Sequence, residues 1–175
     1  MVIDMKTLFV RFMFLMILFL SAGTIFSQTR IAVLPFQNMD GPLEYSKWCF
    51  QLQDSVAKLL KQQDPDENYF RIVPIDSIEA LTAEMNLDPS NPQYETDVWK
   101  AVHTLNAKYV VSGFFIVDGS RVVISAFIYD AEFKLPDPNY QAKDIRKKKE
   151  KIMEAPEIIV EQLYPGIIFF SRKNK

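Results

Sequence analysis

Two runs of β-favouring residues, Lys108 to Val117 and Arg121 to Asp130, stand on either side of Asp118-Gly119-Ser120. Aspartate followed by glycine supplies the positive backbone angles of a tight turn, so the two runs are predicted to pair as an antiparallel hairpin. In the second run Val122, Ile124, Ala126 and Ile128 line one face, while Val123, Ser125, Phe127 and Tyr129 line the other. Both faces are largely apolar, which predicts a sheet covered on both sides, and such a sheet needs helices to cover it.

The remaining segments supply them. Arg30 to Phe36 is a short apolar run without polar alternation, a strand whose end is set by Pro35, because a central ladder cannot spare the amide donor. A turn at Asn38 to Pro42 follows. From Leu43 to about Gln62, Tyr45, Trp48, Cys49, Leu52, Val56, Leu59 and Leu60 recur at helical spacing, and the helix ends in a solvated loop at Gln63-Asp64-Pro65-Asp66. Phe70 to Ile75 reads as a second strand, and Asp76 with Glu79 has the spacing of a capping box opening a short helix that carries Ile78, Leu81 and Met85. Asp88 to Pro92 is a loop by composition, and a helix over about Glu95 to Leu105 presents Val98, Ala101, Val102 and Leu105. After the hairpin, the loop at Pro136-Asp137-Pro138 is predicted to lead into a helix over 142–163. Its apolar residues are Ile152, Ile158, Ile159 and Leu163, and Pro156 restarts it. Tyr164-Pro165-Gly166 is read as its stop, leaving 164–175 as a C-terminal segment in which Ile167 to Phe170 forms an extra strand, either internal or kept for a partner.

The N-terminus carries Lys6 and Arg11, an apolar run from Phe12 to Leu20, and then the small residues Ser21, Ala22 and Gly23. That order is a secretory signal, with cleavage expected after Ser27. The Leu20-Ser21-Ala22-Gly23 stretch has no cysteine to acylate, so neither a lipid anchor of that type nor a stable membrane anchor is expected after cleavage. Residues 28–175 then form a single domain large enough to bury a core unaided. Losing Asp4, Lys6 and Arg11 with the signal leaves 18 basic against 21 acidic residues, a weakly acidic balance that argues against nucleic acid as a partner.

Few residues carry the marks of chemistry. His103, the single histidine, sits on a predicted helix with no second ligand at a useful spacing, and no Gly-x-Ser-x-Gly elbow is present. Cys49, the single cysteine, shares a helix face with Tyr45, Leu52 and Val56 and reads as a small core residue. Asp64, Asp66 and Glu67 resemble a fragment of a calcium loop, but Pro65 and the missing terminal glutamate break the pattern. The five glycines form no phosphate-cradling loop. No catalytic residue, cofactor or metal site is therefore expected. The run Arg146, Lys147, Lys148 and Lys149 reads as a solvated helix face balanced by Glu150 and Glu154, with weak contact to anionic surfaces as its functional reading.

Several segments taken in order carry a resemblance. Ile31-Ala32-Val33-Leu34-Pro35-Phe36 with Asn38 after it, the helix entered through Leu43-Glu44-Tyr45, Leu105 to Gly113, the turn at Asp118-Gly119 and the strand ending Ile128-Tyr129-Asp130-Ala131 together resemble the TolB amino-terminal-like domains over roughly residues 30–132. The resemblance implies a single α/β domain, a mixed β-sheet with packed helices of the anticodon-binding-domain-like kind, as in periplasmic modules of curli secretion and cell-wall-synthase activators. It implies protein docking in the periplasm and brings no catalytic residue with it. The chain departs from the pattern in lacking an anchoring cysteine, a following propeller and a threonine-glycine turn after Ala131.

The functional expectation is a periplasmic or secreted accessory protein that docks envelope proteins without chemistry. Its candidate partner-binding residues are Trp48, Trp99, Ile167, Ile168, Phe169 and Phe170. The competing expectation is a small-ligand or hydrolytic site in the crevice near Gln37, Asn38 and Asp40, at the carboxyl ends of the strands.

Overall fold

The computed structural model describes residues 28–39, 42–86, 88 and 91–173; the predicted signal at 1–27 lies outside the described residues. Six strands form one mixed sheet: β1 (Thr29–Val33), β2 (Gln37–Asn38), β3 (Phe70–Ile72), β4 (Tyr109–Asp118), β5 (Arg121–Asp130) and β6 (Pro136–Lys148). Their order is β3-β1-β4-β5-β6, with β2 also paired to β4; β1 runs parallel to β3 and β4, and β4-β5-β6 is an antiparallel meander. The expected hairpin is present, with Asp118 opposite Arg121 and Gly119 at a φ of 58°.

Pro35 interrupts the first run where expected, separating β1 from β2. The Phe36 amide, diverted from the ladder, donates to the Cys49 carbonyl of helix α1 (Ser46–Gln63), which a short 3-10 turn at Leu43–Tyr45 introduces. Trp48, Leu52, Val56 and Leu60, four residues apart, bury the inner stripe of α1. Helix α4 (Ala155–Lys173) lies on the same face of the sheet, and Ile159, Leu163 and Ile167 meet Val111, Phe115, Ile124 and Ile128 in the larger core. Helices α2 (Ile75–Met85) and α3 (Tyr94–Thr104) cover the other face, where Ile78, Trp99 and Val102 pack on Ala32, Leu34 and Val110. Their cover stops short of the far strands: on that face Ile116 is 41% exposed and Val123 and Phe127 are half-buried, so the second face is only partly covered.

Four local expectations are corrected. Asp64 is buried, not solvated, because its carboxylate accepts the amides of Asn68, Tyr69 and Phe70 at 2.9, 2.7 and 3.1 Å and so launches β3. The second strand ends at Ile72, and the following helix starts at Ile75 behind Pro74; Asp76 lies inside its first turn and makes no capping bond.

The third correction concerns 142–154: 142–148 is the latter part of β6, Lys149–Glu154 is 3-10, and the α-helix starts only at Ala155. Asp130 accepts the amides of Glu132 and Phe133, Lys134 takes a left-handed φ of 56°, and the chain folds back on β5. Ala142 and Ile145 then both face the core, opposite Ala126 and Ile124, because a bulge at Asp144 (φ 55°) absorbs one residue between them. That three-residue spacing is what imitates a helix. Basic residues suit this place, since charged side chains on an outer strand discourage edge-to-edge pairing.

The fourth correction is the C-terminus: Pro165-Gly166 does not stop α4, and Ile167 to Phe170 is helical, not a strand. Pro165 is exposed and the acceptor it fails to serve, the Glu161 carbonyl, lies on the solvent side. Gly166 rests on Tyr140 so closely that a Cβ there would fall 2.4 Å from its ring, and Ser171 donates to the Ile167 carbonyl at 2.7 Å. Pro156 occupies the first turn of α4, where no amide donor is needed. No helix among the described residues is long and apolar enough to cross a membrane.

Candidate functional site

Past the carboxyl end of β1 the chain swings through Leu34 and Pro35, and past β3 it turns into α2. Between these departures opens a cleft of about 370 Å³. Its base is Leu34, Pro35, Ser112, Gly113, Phe114 and Tyr129 of the sheet; α2 contributes Ile78, Glu79 and Thr82, and α3 contributes Tyr94, Glu95, Val98 and Trp99. Helix α1 adds Phe50 and Gln53, and Gln37 and Lys134 complete the lining.

The walls are aromatic and ordered by ring contacts. Trp99 meets Tyr129 edge-on at 6.2 Å, Tyr129 meets Phe127 at 6.1 Å, and Phe127 stacks with Phe114 at 6.0 Å. The Lys134 ammonium lies 5.4 Å from the Trp99 ring centre, a cation on a π-face. Burial first, and the Glu95 carboxylate second, push the Tyr129 phenol above its ordinary value, so it is a neutral hydroxyl at neutral pH.

Gln53 is 2% exposed, and its Nε2 donates to the Val33 carbonyl at 2.8 Å. Its Oε1 is buried without a hydrogen-bond partner among the described residues. An acceptor left in that state costs about 1–3 kcal/mol. The two aliphatic hydroxyls that line the cleft are turned to backbone carbonyls, Thr82 to Ile78 at 2.8 Å and Ser112 to Pro35 at 3.4 Å.

The residues expected from sequence are scattered. Trp99 lines the cleft and is 9% exposed, whereas Trp48 is equally buried under the opposite face, stacked on Tyr45 at 4.6 Å and edge-on to Phe115. Neither indole is an exposed docking aromatic. Ile167 is core, Ile168 and Phe170 are half-buried, with Phe170 stacked on Tyr109, and Phe169 alone of the four is largely exposed at 52%. These six residues therefore form no common surface.

Alternation along β6 splits the basic run: Arg146 pairs opposite Val123 on one face, while Lys147 turns to Glu154 at 3.0 Å on the other. Lys149 donates to the Tyr45 hydroxyl. In the competing crevice Gln37 lines the cleft, Asn38 instead donates to the Pro42 carbonyl, and Asp40 lies outside the described residues. Cys49 is half-buried, and burial raises its thiol above the ordinary value. His103 is exposed near the end of α3. No group of His, Cys, Asp and Glu suited to a metal occurs among the described residues.

Sequence reasoning missed Phe50, Gln53, Glu79, Tyr94, Glu95 and Lys134. One of them carried a signal: Phe50 is a large aromatic lying off the apolar stripe of an amphipathic helix, and it is 53% exposed.

No family model matches this sequence, and no curated protein matches it by sequence. Solved structures do match in shape. Lipoprotein GNA1162 from Neisseria meningitidis superposes with a TM-score of 0.52 at 15% identity, over 78% of this chain and 96% of that one. The C-terminal domain of LpoB from Escherichia coli gives 0.49 at 12% identity, over 74% and 90%. TolB from Acinetobacter baumannii gives 0.41 at 15% identity, over 79% of this chain and 28% of that one. The chain is a single α/β domain with a mixed sheet and packed helices, the fold class expected from its sequence.

Proposed function

We propose that this chain is an exported, non-catalytic accessory protein of the cell envelope, a TolB amino-terminal-like domain that docks a partner protein at the aromatic cleft. The observation that carries the reading is the apolar lip. Phe50 stands half-exposed on the cleft wall, and Phe133 and Leu135, 67% and 65% exposed, flank the cleft residue Lys134. Large exposed apolar side chains beside an aromatic-lined hollow have the composition of a protein-recognition surface.

The competing reading as a hydrolytic site shares the location through Gln37 but finds less support there. The hydroxyls of Thr82 and Ser112 face carbonyls, and His103 is not among the lining residues. The leader-like first 27 residues support export, and a lipoprotein among the proteins of similar fold is consistent with the envelope.

Photo-crosslinking tests the docking role. A photoreactive residue replacing Phe50 in the exported protein is expected to give a discrete protein adduct in intact cells. The same residue replacing Lys58, exposed on the same helix but absent from the cleft lining, should give none. Adducts from position 58 and none from position 50 would refute docking at this cleft.

A further inference from the structure

The cleft is lined by two carboxylates and several π-faces against a single basic residue. Glu79 of α2 and Glu95 of α3 both line it, and neither forms an ion pair among the described residues. Gln53 adds a buried carbonyl oxygen without a donor among those residues. The one basic residue in the lining, Lys134, already lies over Trp99, and it does so from a left-handed backbone conformation that a residue with a side chain rarely adopts. The two carboxylates and the indole face favour a cation, and the molecule's own loop places one there.

We propose that the cleft accepts an arginine side chain presented by an extended segment of the partner protein. Its guanidinium takes the place of the Lys134 ammonium over Trp99, within reach of the Glu79 and Glu95 carboxylates. The inference rests on the docking reading above and names the partner's chemistry. Arginine fits better than lysine because the guanidinium is planar, stacks on aromatic rings and carries five donors in a fixed fork, enough for two carboxylates. A partner segment fits better than a free small molecule because Phe50 in the lining, and Phe133 and Leu135 next to Lys134 in the chain, are exposed apolar side chains available to the residues that flank an arginine. Lys134 is then a built-in competitor that leaves when the arginine arrives.

The test is titration of the exported protein with acetyl-Ala-Ala-Arg-Ala-Ala-amide, followed through the indole N–H signals of Trp99 and Trp48 in nuclear magnetic resonance spectra. The expected result is a saturable shift at Trp99 with Trp48 unmoved, with the citrulline peptide, equal in shape but uncharged, binding about tenfold more weakly. Glu95→Gln and Glu79→Gln should each weaken binding, and Lys134→Met should strengthen it, with circular dichroism unchanged in all three. Equal binding of the citrulline and arginine peptides, or no saturation with wild type and Lys134→Met alike, would overturn the proposal. Free arginine amide binding as tightly as the peptide would overturn the partner as its source. A cross-link from position 50 without peptide binding would leave docking in place and remove arginine as the occupant; peptide binding without a cross-link would do the reverse.

Discussion

Gly113 and Gly119 lie on the same hairpin and are needed for different reasons. At Gly113 a Cβ would fall 2.2 Å from the Ser125 carbonyl oxygen and 2.7 Å from the Phe36 ring, while at Gly119 nothing lies within 4 Å and only the φ of 58° selects glycine. Gly113→Ala is expected to cost about 3 kcal/mol through overpacking. Gly119→Val should cost about 1–2 kcal/mol through backbone strain alone. Urea unfolding of the two variants measures both, and a larger loss at Gly119 would contradict the packing described for Phe36. Asp97 carries a prediction of a different kind. It is buried on α3, and the hydrogen bond from Lys100 at 2.8 Å, more than any other influence, lowers its carboxyl below the ordinary value. A depressed folded value makes the stabilising contribution complete above the unfolded value of about 4 and lost as pH falls through the folded value. Melting temperature followed from pH 6 to pH 2 should therefore drop more steeply for wild type than for Asp97→Asn, the difference arising below about pH 4. Buried polar residues of this sort, with Asp64 and Gln53, were not legible in the sequence, where each reads as an ordinary surface residue.

Elements with one period were legible, and elements with a mixed signal were not. The hairpin, the long first helix and the helix over Tyr94–Thr104 follow directly from alternation, a turn dipeptide and helical spacing. The strand Pro136–Lys148 was hidden because its bulge at Asp144 sets the core residues Ala142 and Ile145 three apart. Continuation of the last helix through Pro165-Gly166 was hidden for a tertiary reason, since the absence of a Cβ at Gly166 serves contact with Tyr140, and the local rule reads it as a stop. Ile167 tests the continuous helix: at 1% exposure it extends the stripe of Ile159 and Leu163 into the main core. Ile167→Ala should cost about 2–4 kcal/mol in denaturant unfolding, whereas Phe169→Ala, half-exposed, should cost under about 1 kcal/mol. Equal effects at the two positions would argue for the strand that the local sequence suggests.

At the scale of the whole molecule the fold class was legible and the cleft was not, because its lining comes from the sheet, three helices and the loop that carries Lys134, and no window of sequence contains that set. The crevice at the end of the first strand was foreseen only through Gln37. The same scale bears on where the proposed leader is removable. β1 begins at Thr29 and lies between β3 and β4, and its residues Ile31, Ala32 and Val33 are buried on both faces of the sheet. Gln28 still has a role, as its side-chain amide donates to the Glu67 carbonyl in the loop before β3. Cleavage beyond Thr29 would therefore remove part of a central strand, and each residue lost there would free backbone groups of both neighbours. Cleavage after Ser27 instead frees the chain at the last residue before the sheet begins. N-terminal sequencing of the protein recovered from the cell envelope is accordingly expected to start at Gln28 or a residue or two before it. A protein still carrying residues 1–27 in the membrane fraction would mean that this segment serves as an anchor, and would move the proposed docking to the membrane surface.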